Sequence, residues 1–207
     1  MKEGIFMTKK YRRRILGSVL MVLLLALWIW RYNTINDYYR SLDQSSTPYY
    51  SMGEEVYFED DFITLHESAN GYSICVDDFK IVDYEEYINS LPEEIDPDFP
   101  SDKLGLVTIT LRNHSNAEDA IFLSRFSMHG IDSYQGMDWQ MLTASNPVLG
   151  EGHGIRLREG TEMQFILPFV LRKEFFGFDT WAHLEKYQFY LQITTFPAKK
   201  NICLSIS

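Results

Sequence analysis

Residues 106–112 read Leu-Val-Thr-Ile-Thr-Leu-Arg (LVTITLR), and the alternation of apolar and polar side chains from Val107 onward decides the fold class. Val107, Ile109 and Leu111 share one face of an extended chain, while Thr108 and Thr110 share the other. A strand with one apolar face predicts a sheet that packs this face against a second layer.

The same alternation recurs on both sides of this segment. It predicts strands whose apolar faces carry Tyr72, Ile74 and Val76; Met163, Phe165 and Leu167; Tyr187, Phe189, Leu191 and Ile193; and Ile202, Leu204 and Ile206. Weaker strands are predicted over 56–64, 120–128 and 154–158, with Gly, Asn and Pro turn signals between strands. Short strands of this number and spacing predict a mainly β fold, a sandwich of two packed antiparallel sheets.

Two stretches depart from the strand pattern and predict short helical insertions. The first places four apolar residues at helical spacing on one face: Tyr84, Tyr87, Ile88 and Leu91. In the second, Asp179 is a candidate N-cap for a helix that turns Trp181 and Leu184 toward the core.

An apolar run, Ile15–Trp30 (ILGSVLMVLLLALWIW), predicts a transmembrane helix near the N-terminus. A cleaved signal peptide is the alternative, but an aromatic and basic border (28–32) follows the run, and no small-x-small cleavage pattern precedes Asn33. No cysteine precedes Cys75, so the thiol of a bacterial lipoprotein anchor is missing at the end of the run. We therefore expect an uncleaved signal-anchor.

The basic residues before the run set the expected orientation. Six Lys or Arg and one acidic residue precede it, so the positive-inside tendency predicts a cytoplasmic N-terminus and an extracellular C-terminal domain in the cell membrane. The expected organisation is a cytoplasmic basic tail (1–14), a transmembrane anchor (15–32), a polar stalk (33–51) and an extracytoplasmic β-sandwich domain (52–207).

Charge is divided unequally between these parts. Residues 1–32 hold seven Lys or Arg and one Asp or Glu, which gives a net charge of +6. Residues 33–207 hold 12 Lys or Arg and 28 Asp or Glu, which gives a net charge of −16. The two parts together give the net charge of −10 of the whole chain. Nucleic acid and anionic lipid are bound chiefly through Lys and Arg. The acidic outer part therefore disfavours both, and no nucleic-acid partner is expected.

Five motifs occur in an order that is similar to a known group of proteins. They are Gly53-Glu54-Glu55, GYSI (71–74), VTITLRN (107–113), FILP (165–168) and YLQITTFPAKKNICLSI (190–206). Together, over roughly residues 9–207, they resemble uncharacterised Gram-positive bacterial single-pass membrane proteins with an immunoglobulin-like outer domain. The resemblance implies an immunoglobulin-like sandwich outside the membrane, and it carries over no catalytic or binding residue.

The two cysteines, Cys75 and Cys203, lie in the part expected outside the membrane, where a disulfide can persist. Each alternates with the apolar residues of its strand and is therefore expected on an outer face. A bridge forms if the first and last strands are neighbours; otherwise the protein carries two separate thiols.

No catalytic, metal-binding or cofactor-binding pattern stands out in the sequence. The loop 92–102 offers five acidic residues but lacks the glycine and the bidentate glutamate of a calcium loop. The five histidines show no metal-ligand spacing, and no nucleophile elbow is present. We therefore expect no enzyme activity, no metal and no cofactor.

Exposed aromatic side chains are the remaining candidate for a binding site. Tyr190 falls on the polar phase of its strand, and Tyr134 and Trp139 flank the turn at 133–138. Such rings form patches that recognise proteins or glycans. Packing of the rings in the core and at sheet edges is the other interpretation.

These features favour a membrane-anchored, extracytoplasmic binding or envelope-associated module that is not an enzyme. Its partners are expected to be the membrane, through residues 15–32, and an envelope protein or glycan. Two alternatives stay open. One is a structural accessory subunit of a membrane complex such as a transporter or secretion system, and the other is an envelope enzyme with an unrecognised site.

Overall fold

The chain divides into two units, Met1–Ser46 and Thr47–Ser207. The computed structural model describes residues 9–45, 47–64, 68–92, 95, 100–116, 119–130, 133–149 and 154–206, with the backbone alone for 9–14 and 35–45.

Helix α1 (Lys9–Ser45) makes up the described part of the N-terminal unit. Its segment Ile15–Thr34 has 20 residues with a mean hydropathy of 2.0, and none of it is buried in the structure. A helix of this length spans about 30 Å, the thickness of the hydrocarbon core of a bilayer. Within the described residues, the chain has one apolar helix, near its N-terminus, that fits a membrane anchor or a signal sequence.

Helix α1 continues past the apolar run to Ser45, into the range predicted as a stalk (33–51). Residues 31–45 hold neither Pro nor Gly, and the Thr34 hydroxyl donates to the Trp30 carbonyl at 2.9 Å within the helix. Pro48 then disfavours helical backbone at the residue before it. The first strand follows at Tyr49, so the last residues of the predicted stalk range pair into a sheet of the C-terminal unit.

The described part of the C-terminal unit is mostly β. Its strands are β1 (Tyr49–Tyr50), β2 (Val56–Tyr57), β3 (Tyr72–Asp83), β4 (Lys103–Asn113), β5 (Ile121–Phe122), β6 (Ser127–His129), β7 (Tyr134–Gln135), β8 (Gly154–Ile155), β9 (Glu162–Leu171), β10 (Phe189–Gln192) and β11 (Asn201–Leu204). Three short helices accompany them: α2 (Tyr84–Ser90), α3 (Trp139–Ser145) and α4 (Phe178–Ala182). Four 3₁₀ turns lie at Leu123–Arg125, Pro147–Leu149, Lys173–Phe175 and Leu184–Lys186.

The strands form two large sheets and one small one. The four-stranded sheet has the order β2-β3-β4-β9 and is antiparallel throughout. The five-stranded sheet has the order β1-β11-β10-β6-β7, and β5 pairs with β8 separately. The five-stranded sheet is mixed, because β1 runs parallel to β11, with Tyr49 opposite Asn201. The prediction of purely antiparallel sheets is therefore wrong at this edge, where the start of the domain pairs with its last strand.

The two large sheets share one hydrophobic core. The apolar face predicted for LVTITLR is confirmed, since Val107, Ile109 and Leu111 are fully buried. Across the core, the rings of Phe79 on β3 and Phe189 on β10 meet edge to face with centroids 5.7 Å apart. Burial of such faces is the main driving force for packing the sheets together.

The edges of the two sheets also meet. Met137, just after β7, forms an isolated antiparallel bridge with Phe169 on β9, and the Val170 amide donates to the Gly136 carbonyl at 3.2 Å. This link closes one side of the fold between the edge strand of each sheet. A cleft lies at this junction.

Short elements differ from the sequence predictions in several places. The strand predicted over 56–64 is limited to Val56–Tyr57, and the last strand ends at Leu204, before Ile206. Tyr187 lies outside β10, because the 3₁₀ turn Leu184–Lys186 holds its amide against the Leu184 carbonyl at 3.1 Å.

The two predicted helices are present, and a third was missed. Asp83 caps α2 by accepting a hydrogen bond from the Glu86 amide at 3.2 Å. Asp179 lies inside α4 instead of capping it, since the extended Gly177 is the N-cap. Helix α3 was not predicted; Asp138 caps it through a hydrogen bond from the Met141 amide at 3.1 Å.

Candidate binding cleft

The outer face of the five-stranded sheet carries a row of aromatic side chains, formed by Tyr49, Tyr190, His129 and Tyr134 and called the aromatic row below. On β10, Phe189 and Leu191 are buried, so Tyr190 between them points away from the core. Tyr190 lies opposite His129, which in turn lies opposite Tyr134. The Tyr49 and Tyr190 rings meet at 5.3 Å between centroids, and those of His129 and Tyr134 at 4.9 Å. The row thus crosses the whole sheet.

Two of the three residues of the predicted aromatic patch belong to the aromatic row. Tyr134 is 65% exposed and Tyr190 is half-buried, and both belong to the row. Trp139 is half-buried at the first turn of α3, a helix that packs against β9, and so belongs to a different element. The sheet adds Tyr49 and His129, which sequence reasoning missed because strand order was unknown.

His129 in the centre of the row is held in its neutral form. Burial lowers its pKa, the charge of Lys199 lowers it further, and a hydrogen bond with Gln192 opposes both. Its Nε2 atom lies 2.8 Å from the Ser127 hydroxyl. The side chain at the centre of the aromatic row is therefore uncharged near neutral pH.

A cleft opens beside the row, where the edge of the five-stranded sheet meets β9. Its volume is about 180 Å³. The residues that matter for its chemistry are Tyr134, Gln135, Asp138, Val170, Arg172 and Phe175. Tyr134 and Phe175 are 65% and 56% exposed and form the rim, whereas Gln135 and Asp138 are each 2% exposed and form the floor.

Two buried polar atoms of the residues beneath the cleft have no hydrogen-bond partner among the described residues. They are Nε2 of Gln135, a donor, and Oδ2 of Asp138, an acceptor. The other oxygen of Asp138 caps α3 and fixes the carboxylate in place. A buried polar group without a partner costs about 1–3 kcal/mol, so such groups are rare unless water or a ligand satisfies them.

Comparison with known proteins places the domain in a family. The sequence model of DUF5028, a domain of unknown function, matches residues 47–200, which start with the C-terminal unit and end just before β11. The chain belongs to the DUF5028 family. No curated protein matches it.

One solved structure is similar to part of the chain. It is the crystal structure of a proposed lipoprotein, ycdA, from Bacillus subtilis subsp. subtilis str. 168, with a TM-score of 0.41 and 14% identity. The alignment covers 66% of this chain and 36% of that one, so the chain spans about a third of the length of ycdA. The family assignment therefore rests on the DUF5028 match.

A cluster of charged and polar side chains lies on the outer face of the four-stranded sheet of the DUF5028 domain. It is called the charged cluster and is formed by Glu55, Ser73, Arg112, His114 and Glu162. The Ser73 hydroxyl donates to Glu55 Oε1 at 2.7 Å and lies 2.8 Å from His114 Nε2. Arg112 donates through Nε to Glu162 at 2.8 Å and through Nη1 to Glu55 at 3.4 Å. The hydrogen bond from Ser73, followed by the charges of Arg112 and His114, holds the pKa of Glu55 below its usual value against the effect of burial.

Serine, histidine and a carboxylate come together in this cluster, a set that sequence reasoning did not find. In a catalytic triad, the carboxylate is hydrogen-bonded to the histidine nitrogen that does not face the serine. The geometry of the charged cluster is different. Here Glu55 Oε1 lies 3.3 Å from the same Nε2 atom that faces Ser73, and Ser73 is 1% exposed. The cluster therefore fastens the segment before β2 to the sheet.

The two cysteines lie on opposite sides of the DUF5028 domain. Cys75 is on β3 of the four-stranded sheet, opposite Thr110, and Cys203 is on β11 of the five-stranded sheet, opposite Tyr190. Both are free and half-buried, and burial raises the pKa of both thiols. The possible Cys75–Cys203 bridge is not formed, because the first long strand and the last strand belong to different sheets.

The described residues contain no group of three or more His, Cys, Asp or Glu side chains that could hold a metal ion. Of the acidic residues in the loop 92–102, Asp102 is described, while Glu93, Glu94, Asp96 and Asp98 lie outside the described residues.

Proposed function

We propose that the chain is a single-pass membrane protein whose DUF5028 domain lies outside the cytoplasm and binds a component of the cell envelope. Three features support this arrangement: the apolar segment Ile15–Thr34, the basic residues before it, and the acidic character of the sequence after it. The positive-inside tendency orients such a segment with its N-terminus in the cytoplasm.

The proposal includes an immunoglobulin-like sandwich as the fold class of the outer domain. In support, a four-stranded and a five-stranded sheet pack on one core. The parallel pair β1–β11 and the bridge between Met137 and Phe169 depart from a plain two-sheet sandwich.

Binding without chemical conversion is the activity that the geometry supports best. The observation that carries it is the cleft of about 180 Å³ with the exposed rings of Tyr134 and Phe175 at its rim. Small-molecule sites are typically concave, with apolar walls and a few placed polar groups. The cleft has this composition, with exposed rings at its rim, whereas the charged cluster satisfies its own polar groups and buries its serine.

Photo-crosslinking in intact cells tests the proposal. The full chain is expressed with a benzophenone amino acid in place of Tyr134, at the rim of the cleft. The control carries it in place of Tyr57, which is 49% exposed on the other sheet. Because a ligand in the cleft would touch residue 134, we expect an adduct with an envelope component from this position and none from position 57.

A second control ties the adduct to the cleft. In the protein that carries the benzophenone at position 134, Phe175→Ala removes the other exposed ring of the rim. Because this ring would contact a ligand in the cleft, we expect the substitution to reduce the adduct strongly. An adduct that forms equally from positions 134 and 57, or that Phe175→Ala leaves unchanged, would contradict binding in the cleft.

A further inference from the structure

We propose that two buried side chains, Lys200 and Asp61, condense to an intramolecular isopeptide bond between Nζ of Lys200 and Cγ of Asp61. The side chains are 4% and 6% exposed, and Nζ lies 2.5 Å from Asp61 Oδ2. Lys200 directly precedes β11, and Asp61 lies between β2 and β3, so the bond joins the beginning of the domain to its last strand. The proposal goes beyond the proposed function, because the bond needs neither the membrane nor a ligand.

The surroundings of Asp61 are apolar and favour condensation. Asp61 lines a narrow recess that is otherwise formed by apolar side chains, among them Phe58, Phe126 and Ile193. In such surroundings the desolvation cost of two opposite charges is offset only in part by their attraction. Condensation removes both charges and leaves a neutral amide.

The hydrogen bonds around the pair fit the amide product. The Ala198 amide donates to Asp61 Oδ1 at 3.1 Å, and Lys200 Nζ donates to the Tyr57 carbonyl at 2.6 Å. In the product, Oδ1 is the carbonyl oxygen and Nζ keeps one hydrogen, so these two contacts satisfy the amide fully. During the attack on Cγ, negative charge develops on Oδ1, where the Ala198 amide stabilises it.

The reaction needs no oxidant, cofactor or co-reactant. Transfer of a proton from Nζ to Oδ2 along their hydrogen bond converts the ammonium and the carboxylate into an amine and a carboxylic acid. The lone pair of Nζ then forms the Nζ–Cγ bond, and the Cγ–Oδ2 bond breaks with its electron pair going to the oxygen. A second proton from Nζ completes the leaving water. Of the three ammonium protons, two leave with the water and one stays on the amide.

A small fraction of the neutral pair is enough for this reaction. The ammonium form dominates the unreacted pair, but the bond has to form only once in each molecule. Groups held in contact react with effective molarities of about 10⁵–10⁸ M. Glu59 Oε2 also accepts from Nζ, at 2.8 Å, and its side chain is 71% exposed, so the buried pair borders the solvent into which the water is released.

The bond gives the domain a cross-link that its cysteines do not form. Cys75 and Cys203 belong to different sheets, whereas Lys200 and Asp61 are in contact. The bond closes a loop from residue 61 to residue 200, which is most of the domain, and cross-links that close long loops restrict the unfolded chain the most. Lys200→Met then loses this cross-link in addition to the ion pair.

The intact mass of the denatured full chain tests the proposal. We expect the main species to weigh one water less than the sequence, and we expect this loss to disappear in Lys200→Met and in Asp61→Ala. The matched control is Lys80→Met, because Lys80 contacts Asp78 at 2.7 Å but has a side chain that is 59% exposed. This control is expected to keep the loss of one water.

Tryptic digestion locates the bond. Trypsin cuts after Arg40, Lys80 and Lys199, but it does not cut after a lysine whose amine is acylated. The expected product is therefore a branched peptide in which residues 41–80 are joined to residues 200–207. A cyclised aspartate also loses one water, but it leaves these two peptides separate.

Three results would overturn the proposal. They are a wild-type mass equal to that of the sequence, a loss of water without the branched peptide, and a loss of water that both Lys200→Met and Asp61→Ala retain. The first two results come from the wild-type chain alone, so they refute the bond even where neither variant folds.

Discussion

Replacement of Lys200 by methionine is expected to destabilise the DUF5028 domain more than any surface change. The ammonium of Lys200, whose side chain is 4% exposed, contacts Asp61 Oδ2 at 2.5 Å, Glu59 Oε2 at 2.8 Å and the Tyr57 carbonyl at 2.6 Å. Burial lowers the pKa of Lys200, but its bonds to Asp61 and Glu59 outweigh this effect, so the pKa is raised and the group stays charged at neutral pH.

The expected cost follows from what the substitution leaves behind. Methionine has a similar length and no charge, so Asp61, whose side chain is 6% exposed, keeps the hydrogen bond from the Ala198 amide but loses its counter-ion. Breaking a buried ion pair on one side typically costs about 3–5 kcal/mol. Glu59 is 71% exposed at its side chain, so Glu59→Gln is expected to cost less than about 1 kcal/mol.

Urea unfolding of residues 47–207 measures these differences. This segment contains the whole described core, and Trp139 and Trp181 report its unfolding by fluorescence. The double variant Lys200→Met with Asp61→Asn removes the stranded charge and is expected to be more stable than Lys200→Met alone. If Lys200→Met lowers the free energy of unfolding no more than Glu59→Gln does, the buried pair of Lys200 and Asp61 does not stabilise the domain.

Three further predictions use other features of the domain. Gly71→Ala is expected to lower the free energy of unfolding more than Gly160→Ala in the same assay. Both glycines have positive φ, but a Cβ at Gly71 would lie 2.9 Å from the Asn116 amide nitrogen, whereas nothing lies within 4 Å of a Cβ at Gly160. Equal losses would refute the close contact. The pKa of His129 is lowered in the folded state, so the unfolded state binds more protons below about pH 6.5. The free energy of unfolding is therefore expected to fall as the pH drops through that value, and to fall less in His129→Phe. Identical pH profiles of the two proteins would contradict this. Alkylation of the denatured, unreduced protein is expected to add two groups, one each at Cys75 and Cys203, and an intact mass without adducts would show that the two cysteines are bridged.

The sequence predicted the elements that depend on local periodicity. The segments around 72–76, 107–111 and 163–167 place apolar residues at every second position, and they lie in the three long strands β3, β4 and β9. The residues of their expected faces are buried, except that Met163 is half-buried. The two-residue strands could not be placed, because pairing with a neighbour defines them and their own pattern is too short. The sequence does contain a signal for helix α3, since Asp138 is a suitable N-cap before an apolar turn. This signal was missed because Asp138 was assigned to the turn at 133–138.

The candidate site was predicted only in part, for a physical reason. Tyr134 was singled out because it flanks the turn at 133–138, but the cleft depends on how the β7 edge meets β9, which places Asp138 and Arg172 in one lining. The charged cluster likewise depends on the register that sets Ser73 opposite Arg112. Register and strand order are long-range properties, and periodicity within one strand carries no information about them.

Protease accessibility in wall-free protoplasts tests most directly the claim that the DUF5028 domain is anchored outside the cytoplasm. The full chain carries one tag before residue 1 and a different tag after residue 207. We predict that added protease removes the C-terminal tag from intact protoplasts while the N-terminal tag is protected until lysis. Protection of the C-terminal tag until lysis would place the domain in the cytoplasm and contradict the proposal.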